Sequence, residues 1–385
     1  MSRLAAPNRP APPRAEPTGA RSARDRPLTL VVLAGWTGLL AVAVVVGHLF
    51  DVRIGAPPFY GRWALPGWTW WLLPAAGLGV LAVSSGLAVS ARVRWRTLLL
   101  LAAGLAAAWG ASLELIDGPS DLTARLSSRH EFLHYLPRVG SVGDWLRGFV
   151  DNLPLREANH VKTHPPGMVL VLLGLDRLGL QGTGWAAALC LAGGALMVPA
   201  TLVTLRETAG ESAARRAAPF VALAPAVLFV ATSADALFGG VAASGAALVI
   251  LATGRSGPRA DGLAVSGGLL LGLALFLSYG MVLLLSVPLA VAAVRRRLRP
   301  LVVGALGAAT VAAAFGAAGF WWWEGFLASR ERHLAGITSV RPYEYFVIGN
   351  LAVFAALVGP ATAVAVARLR DTQTWLLVGA ALASV

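Results

Sequence analysis

The chain has 385 residues, of which 57% are hydrophobic and only 13% are charged, and its mean hydropathy is +0.68. These values exclude an ordinary soluble domain, and the repeated apolar runs of about 17 to 25 residues are as long as a bilayer core requires. The runs do not alternate, which excludes a membrane β-barrel. The net charge of +13 comes from arginines in the N-terminal tail and in short connectors, as in cytoplasmic loops, so we expect no nucleic-acid partner.

The sequence therefore predicts an all-α protein, a polytopic transmembrane bundle of about 10 to 11 spans. Residues 1–27 are rich in Pro, Ala and Arg, which predicts a disordered cytoplasmic tail. Two N-terminal transmembrane helices are predicted within 28–96, at 28–50 and 68–90. A larger transmembrane domain is predicted for 97–385. Its first span, 97–116, follows Arg92, Arg94 and Arg96, which mark the cytoplasmic side, and therefore carries the chain outward.

The polar segment 117–166 is then predicted to be a large outer loop. The apolar run behind it, 167–180, is too short for a span and predicts a re-entrant or juxtamembrane helix. If this helix does not cross, the arginines of 206–216 and 295–299 all fall on the cytoplasmic side, as the positive-inside rule favours. The remaining spans are predicted at 184–205, 217–234, 236–253, 263–279, 281–294, 300–323 and 346–367. A last run, 372–385, reads as part of a further span, so we expect a longer C-terminus.

Lys162 is the only lysine, and with abundant Ala, Gly, Leu and Arg this indicates GC-rich coding and favours a bacterial source. We therefore expect a multi-pass protein of the bacterial cytoplasmic membrane, with a cytoplasmic N-terminus and an active site that faces outside. Besides the candidates discussed below, the outer face is expected to carry His130, Glu131, His134, Tyr135, Glu324, Arg330, Arg332 and His333.

This mixture of carboxylate, imidazole and cationic groups suits a reaction on a lipid-linked phosphate. A carboxylate can take a proton from an acceptor hydroxyl, and cationic donors can hold a phosphate as it leaves. Asp117 directly follows a predicted span, where a rigid helix would hold a catalytic base, although Asp-Gly-Pro-Ser also forms turns. Asp121 is the second candidate base, and its alternative role is to cap a following helix.

The segment His164-Pro165-Pro166-Gly167 is a sharper signal. The prolines hold the preceding residue extended, which would present the imidazole of His164 to the loop. A proline-rich helix start explains the prolines but not the neighbouring His160 and Lys162. We therefore predict that these three side chains bind the phosphate of a donor or another part of the substrate.

Four more residues are candidates for substrate binding. Asp235 is a lone carboxylate between two apolar runs, where an ionisable group is costly and often functional, although it could instead cap a helix that begins at Ala236. Arg341 could bind phosphate or be an ordinary basic loop residue. Tyr279 and Tyr343 complete the set. No His or carboxylate pair has a dedicated metal spacing, so no metal site is predicted, and a divalent metal is kept open as a cofactor.

With these residues placed, the chain resembles the GT-C class of integral-membrane glycosyltransferases, the superfamily of protein mannosyltransferases and aminoarabinose transferases. The resemblance covers roughly residues 97–300. It rests on an acid at the start of the outer loop, a His-Pro-Pro element, a Ser-x-Asp-Ala-Leu segment, and a turn like the family's Gly-Leu-x-x-x-x-x-Lys-Tyr without its lysine. In this chain these features are Asp117 or Asp121, His164–Pro166, Ser233–Leu237 after Pro225, and Gly272–Leu285.

The resemblance implies that a sugar is transferred from a polyprenyl-phosphate donor to a glycan, lipid or protein acceptor outside the cytoplasmic membrane. It implies that Asp117 or Asp121 is the base and that the histidine element lies near the donor phosphate. The loop lacks the adjacent Asp-Glu pair of the protein mannosyltransferases, so protein O-mannosylation is not favoured. Two alternatives stay open, a transporter or flippase of a polyprenyl-linked glycan and a non-catalytic membrane scaffold.

Overall fold

A computed structural model describes residues 18–49, 69–116, 118–153, 158–227, 232–335, 342–369 and 372–383. In this part of the chain every regular element is helical, and eight helices are long and apolar enough to cross a membrane. The predicted fold class, an all-α polytopic bundle, is thereby confirmed.

The eight long helices match eight of the predicted spans. They are α1 (Thr18–Leu49), α2 (Leu72–Arg92), α3 (Trp95–Glu114), α9 (Thr183–Ala209), α11 (Ala234–Thr253), α12 (Pro258–Leu277), α14 (Arg299–Ala317) and α16 (Tyr343–Ala367). The shorter helices are α4 (Asp121–Ala124), α5 (Phe132–Tyr135), α6 (Val142–Arg147), α7 (Asn159–Thr163), α8 (Gly167–Arg177), α10 (Glu211–Ala222), α13 (Ser286–Arg295), α15 (Trp322–Ala335) and α17 (Thr372–Ala383). Tight 3₁₀ turns cover Arg125–Ser127, Leu136–Arg138 and Tyr279–Leu285.

Three predicted spans are shorter helices in the structure. In place of 217–234, α10 has 12 residues and ends before a turn that contains Pro225, which has no backbone N–H to continue the helix. In place of 281–294, a 3₁₀ turn of seven residues leads into the 10 residues of α13. Pro288 is the third residue of α13, a place in the first turn where proline is tolerated. In place of 372–385, α17 has 12 residues.

Arginines gather at one end of the bundle, which we call the arginine end. The guanidinium of Arg206 lies 4.6 Å from the ring centre of Trp95, and Arg215 donates to the carbonyl of Val93 at 2.9 Å. Arg295 donates to Thr253 Oγ1 at 2.7 Å. The start of α3, the end of α9, the end of α11 and the end of α13 therefore lie together at this end.

The polar segment lies at the opposite end, which we call the loop end. Because the start of α3 lies beside the end of α9, the two helices are antiparallel. Residues 118–182 therefore leave α3 and enter α9 at the same end of the bundle. The 11-residue helix α8 lies within residues 118–182. Because this stretch begins and ends at the loop end, α8 does not have to cross the membrane, as the short apolar run predicted.

Glycines hold the central helices in a tight row. A Cβ atom on Gly240 of α11 would collide with the carbonyl oxygen of Gly193 of α9, and one on Gly268 of α12 would collide with that of Gly304 of α14. Helices in a membrane gain little from burying apolar side chains and pack through small residues instead. The row α9, α11, α12, α14 therefore depends on backbones that approach without side chains between them.

We predict that Gly268→Ala destabilises the bundle by about 1–3 kcal/mol, because the added methyl group overpacks the contact with α14. The measurement is the thermal unfolding midpoint of the purified protein in detergent. Gly262→Ala is the matched control on the same helix, since Gly262 has no atom within 4 Å of its would-be Cβ. Equal midpoints for the two variants would contradict the packing described here.

Candidate functional site

The polar segment is folded onto the loop end by its own apolar side chains. Phe132 of α5, Val161 of α7 and Met168 of α8 are almost fully buried, and they join Phe238 of α11 in one hydrophobic cluster. The backbone N–H of His160 donates to the carbonyl of His130 at 3.1 Å, which ties α7 to the start of α5. The loop therefore has a core of its own that holds its polar side chains in place.

Two features of the sequence set the backbone at His164. Its φ of −125° and ψ of 156° are extended, as the following proline requires. Gly167 begins α8 against α12, where a Cβ atom would collide with the carbonyl oxygen of Phe276. The predicted helix start after the His-Pro-Pro element is confirmed, and only glycine allows it to sit this close to α12.

The ring of His164 is held in one tautomer. Its Nδ1 lies 3.0 Å from the carbonyl oxygen of His160. A carbonyl can only accept, so Nδ1 carries the proton and Nε2 carries the lone pair. The ring lies between Phe132 and Phe238, with centroid distances of 5.6 and 5.8 Å. Burial lowers the pKa of His164, while the charge of Asp235 acts in the opposite direction. His164 therefore presents a neutral imidazole.

Glu131 and His160 form a pair beside His164. His160 Nε2 lies 3.4 Å from Glu131 Oε1, and the carboxylate side chain is only 12% exposed. The rings of His160 and His164 stack with centroids 5.8 Å apart. Burial raises the pKa of Glu131, the His160 ring lowers it and the charge of Asp235 raises it further. Glu131 thus holds a proton at higher pH than an ordinary glutamate.

Asp235 completes this group, which we call the polar cluster (Glu131, His160, His164 and Asp235). Its charge acts on both Glu131 and His164, although its own side chain is exposed. Among the described residues it has no hydrogen bond or ion pair. The helix begins at Ala234 with Ser233 as its N-cap, so the alternative that Asp235 caps a helix beginning at Ala236 is wrong.

Lys162 lies in the last turn of α7, half-buried, and makes no ion pair with any other described residue. Its positive charge at the loop end is therefore not neutralised by an ion pair within the described part of the chain. Asp121 is the first residue of α4 rather than its N-cap, which is Ser120. The helix α4 packs against α3 and α9, which places Asp121 at the loop end.

The two tyrosines are not in the polar cluster. Tyr279 is buried under α15, where its ring contacts Trp322 and Phe326 with centroid distances of 5.2 and 5.6 Å. Tyr343 is 77% exposed at the start of α16. The predicted candidates Asp117 and Arg341 lie outside the described residues.

Glu131 is the member of the cluster that was not singled out from the sequence. It stands in the run His130-Glu131-Phe132-Leu133-His134-Tyr135, where polar and apolar side chains mix within a few residues. The buried Nδ1 of His130 also has no hydrogen-bond partner among the described residues. Such a run, in a loop that must cover an apolar bundle, is the signal that could have identified Glu131.

Among the described residues, no three His, Cys, Asp or Glu side chains are arranged to hold a metal ion. Comparison of the chain with protein-family models, with curated proteins and with solved structures found no match. The function is therefore inferred from the geometry and charge of the chain's own residues.

We predict that Glu131→Gln is at least as stable as the wild type at pH 7. Because the pKa of Glu131 is raised in the folded protein, its contribution to the free energy of unfolding is fully present below the unfolded-state pKa and is lost as the pH rises through the folded-state pKa. A glutamine side chain does not ionise, so the variant does not undergo this loss. Its Oε1 can still accept a hydrogen bond from His160. The unfolding midpoints of variant and wild type, measured from pH 4 to pH 8, should therefore draw together as the pH falls.

Glu324→Gln is the control, because Glu324 is exposed at the start of α15 and its variant should follow the wild type at every pH. Infrared spectra give a second measure. The wild type should show a band of the protonated Glu131 carboxyl group that is missing from the spectrum of the Glu131→Gln variant. This band should persist at pH values above the ordinary pKa of glutamate. A band that disappears below that value would contradict the buried environment of Glu131.

Proposed function

We propose that the protein is a membrane glycosyltransferase of the GT-C class, which moves a sugar from a polyprenyl-phosphate donor to an acceptor at the loop end. The observation that supports this proposal is the polar cluster, in which two carboxylates and two histidines meet at one end of an apolar bundle. A cation at the same end, Lys162, adds the charge that a phosphate needs.

In the proposed reaction, the oxygen of an acceptor hydroxyl bonds to the anomeric carbon of the sugar. The bond between that carbon and the phosphate oxygen breaks, and polyprenyl phosphate leaves with the electron pair. The proton of the hydroxyl passes to a carboxylate of the protein. The protein therefore has to supply a base near the acceptor and positive charge or hydrogen-bond donors near the phosphate.

Asp235 is the best-supported base within the described residues. Its carboxylate is exposed and unpaired there, whereas that of Glu131 is buried against His160. In this proposal Glu131 orients His160, and Lys162 with His160 receives the phosphate. His164 is half-buried and its pKa is lowered, so we assign it to hydrogen bonding through Nε2 rather than to charge. Asp117 and Asp121 are the bases that the family resemblance implies, and the experiment below includes them.

The distribution of charge supports an outward-facing site. Arginines concentrate at the arginine end, which the positive-inside rule places in the cytoplasm. The polar cluster would then face the outside of a bacterial cytoplasmic membrane, where polyprenyl-linked sugars would be the donors. The N-terminus would be cytoplasmic, as the sequence predicts.

A transporter or flippase is less well supported by the positions of the ionisable residues. The membrane-length part of α1 begins at Arg26. In this part and in the other seven long helices, every Asp, Glu, Arg and His lies within four residues of an end. A polar pathway through the bilayer would require such groups near the middle of the spans. The charges instead gather at the two surfaces, as an enzyme with a surface site would have them.

We predict that Asp235→Asn lowers sugar transfer by about 100-fold or more, the usual contribution of a general base. The measurement uses membranes that contain equal amounts of each variant, a panel of radiolabelled polyprenyl-phosphate sugars and a lipid extract as acceptor. Asp151→Asn is the matched control, because Asp151 is an exposed loop aspartate, and it should keep wild-type transfer.

Asp117→Asn, Asp121→Asn and His164→Ala are measured in the same series. Loss of transfer in an Asp117 or Asp121 variant, with Asp235→Asn unaffected, would move the base to the residue that the resemblance implies. Transfer that is absent with every donor, or that is indifferent to all four changes, would overturn the proposed enzyme activity.

A further inference from the structure

An apolar cavity of about 200 Å³ lies between α3, α9, α10 and α11. It is larger than the cavity of about 150 Å³ that admits a benzene ring. Among the described residues that line it, twelve are Ala, Gly, Val, Leu or Met, and the thirteenth is Thr201. An apolar lining of this kind excludes water and favours an apolar occupant.

The residues around the end of α10 form one wall of this cavity. They are Val221 in the last turn of α10, and Ala224, Ala226 and Val227 after it. On the other side Gly194 and Ala195 of α9 present no bulky side chains. The cavity reaches the loop end at Ala236 of α11 and Gly110 of α3.

The mouth of the cavity adjoins the polar cluster through the first turn of α11. At about 100° per residue, Asp235 lies about 60° from Phe238 and about 100° from Ala236 around the helix. Phe238 contacts the ring of His164, and Ala236 lines the cavity. Around α11, Asp235 therefore lies between the side that lines the cavity and the side that contacts His164.

The charge at this mouth selects the head group of the occupant. None of the described residues that line the cavity is charged, and the acid Asp235 directly precedes the lining residue Ala236. The carboxylate of Asp235 repels a phosphate head group and accepts a hydrogen bond from a hydroxyl. The mouth thus suits a lipid whose head group is uncharged and carries a hydroxyl.

We propose that this cavity binds the hydrocarbon chain of the acceptor, and that the acceptor is a neutral, hydroxylated lipid whose hydroxyl meets Asp235. This inference rests on the proposed function and narrows it, because it names a lipid rather than a protein or a soluble glycan as the acceptor. The donor phosphate then occupies the opposite side of the polar cluster, beside His160 and Lys162.

The test is photolabelling in nanodiscs with a diacylglycerol that carries a diazirine near the end of one acyl chain. Labelled peptides are identified by mass spectrometry, so the result does not depend on sugar transfer. We expect labelling of the cavity residues of α9 and α10, and a decrease of at least fivefold in Ala195→Phe, whose ring would fill the cavity. Leu196→Phe is the matched control, since Leu196 is 51% exposed and lies outside the cavity.

A second comparison tests the role of charge. A phosphatidic acid with the same diazirine should label the wild-type cavity weakly and should label Asp235→Asn more strongly, because the repelling carboxylate is gone. Ala195→Leu, a smaller change, replaces Ala195→Phe if that variant does not fold.

The outcomes separate the two proposals. Equal labelling of Ala195→Phe and Leu196→Phe, or displacement of the label by polyprenyl phosphate but not by unlabelled diacylglycerol, would overturn the acceptor site. Specific labelling by diacylglycerol in a protein that transfers no sugar would retain the lipid site and reject the glycosyltransferase.

Discussion

The close contact between α9 and α11 is the constraint on which the loop end depends. Gly193 and Gly240 let the two backbones meet without side chains between them, and this fixes the height and rotation of the first turn of α11. Phe238 then lies against His164, Ala236 faces the cavity and Asp235 stands between them. One pair of glycines thereby sets the positions of the ring that contacts His164, a candidate base and an apolar cavity.

A second set of contacts joins the loop to the packed helices. The extended His164 and the glycine that follows the two prolines bring α8 against α12, while the bond from His160 to the carbonyl of His130 brings Glu131 to the same place. The imidazole of His164 is oriented by its hydrogen bond to the backbone carbonyl of His160. The chemistry of the site thus depends on short-range bonds in the loop, and its position depends on packing in the membrane.

The sequence predicted the long helices well, because a continuous apolar run of sufficient length has few other structures in a bilayer. It failed where a run is apolar but contains proline, as after α10, since composition alone does not show where a helix stops. The His-Pro-Pro element was found because its residues are adjacent. Glu131 and Asp235 come from distant parts of the chain, and nothing local shows that the charge of one acts on the other.

Two helices begin at the polar cluster, and this has an electrostatic consequence. Gly167 starts α8 just after His164, and Ala234 starts α11 just before Asp235. The N-terminal end of a helix carries a partial positive charge of about half an elementary charge, which decays within the first turn. The backbone therefore offsets part of the negative charge of Glu131 and Asp235. The peptide dipoles thus add positive potential beside the two carboxylates, together with the charges of Lys162 and Arg125.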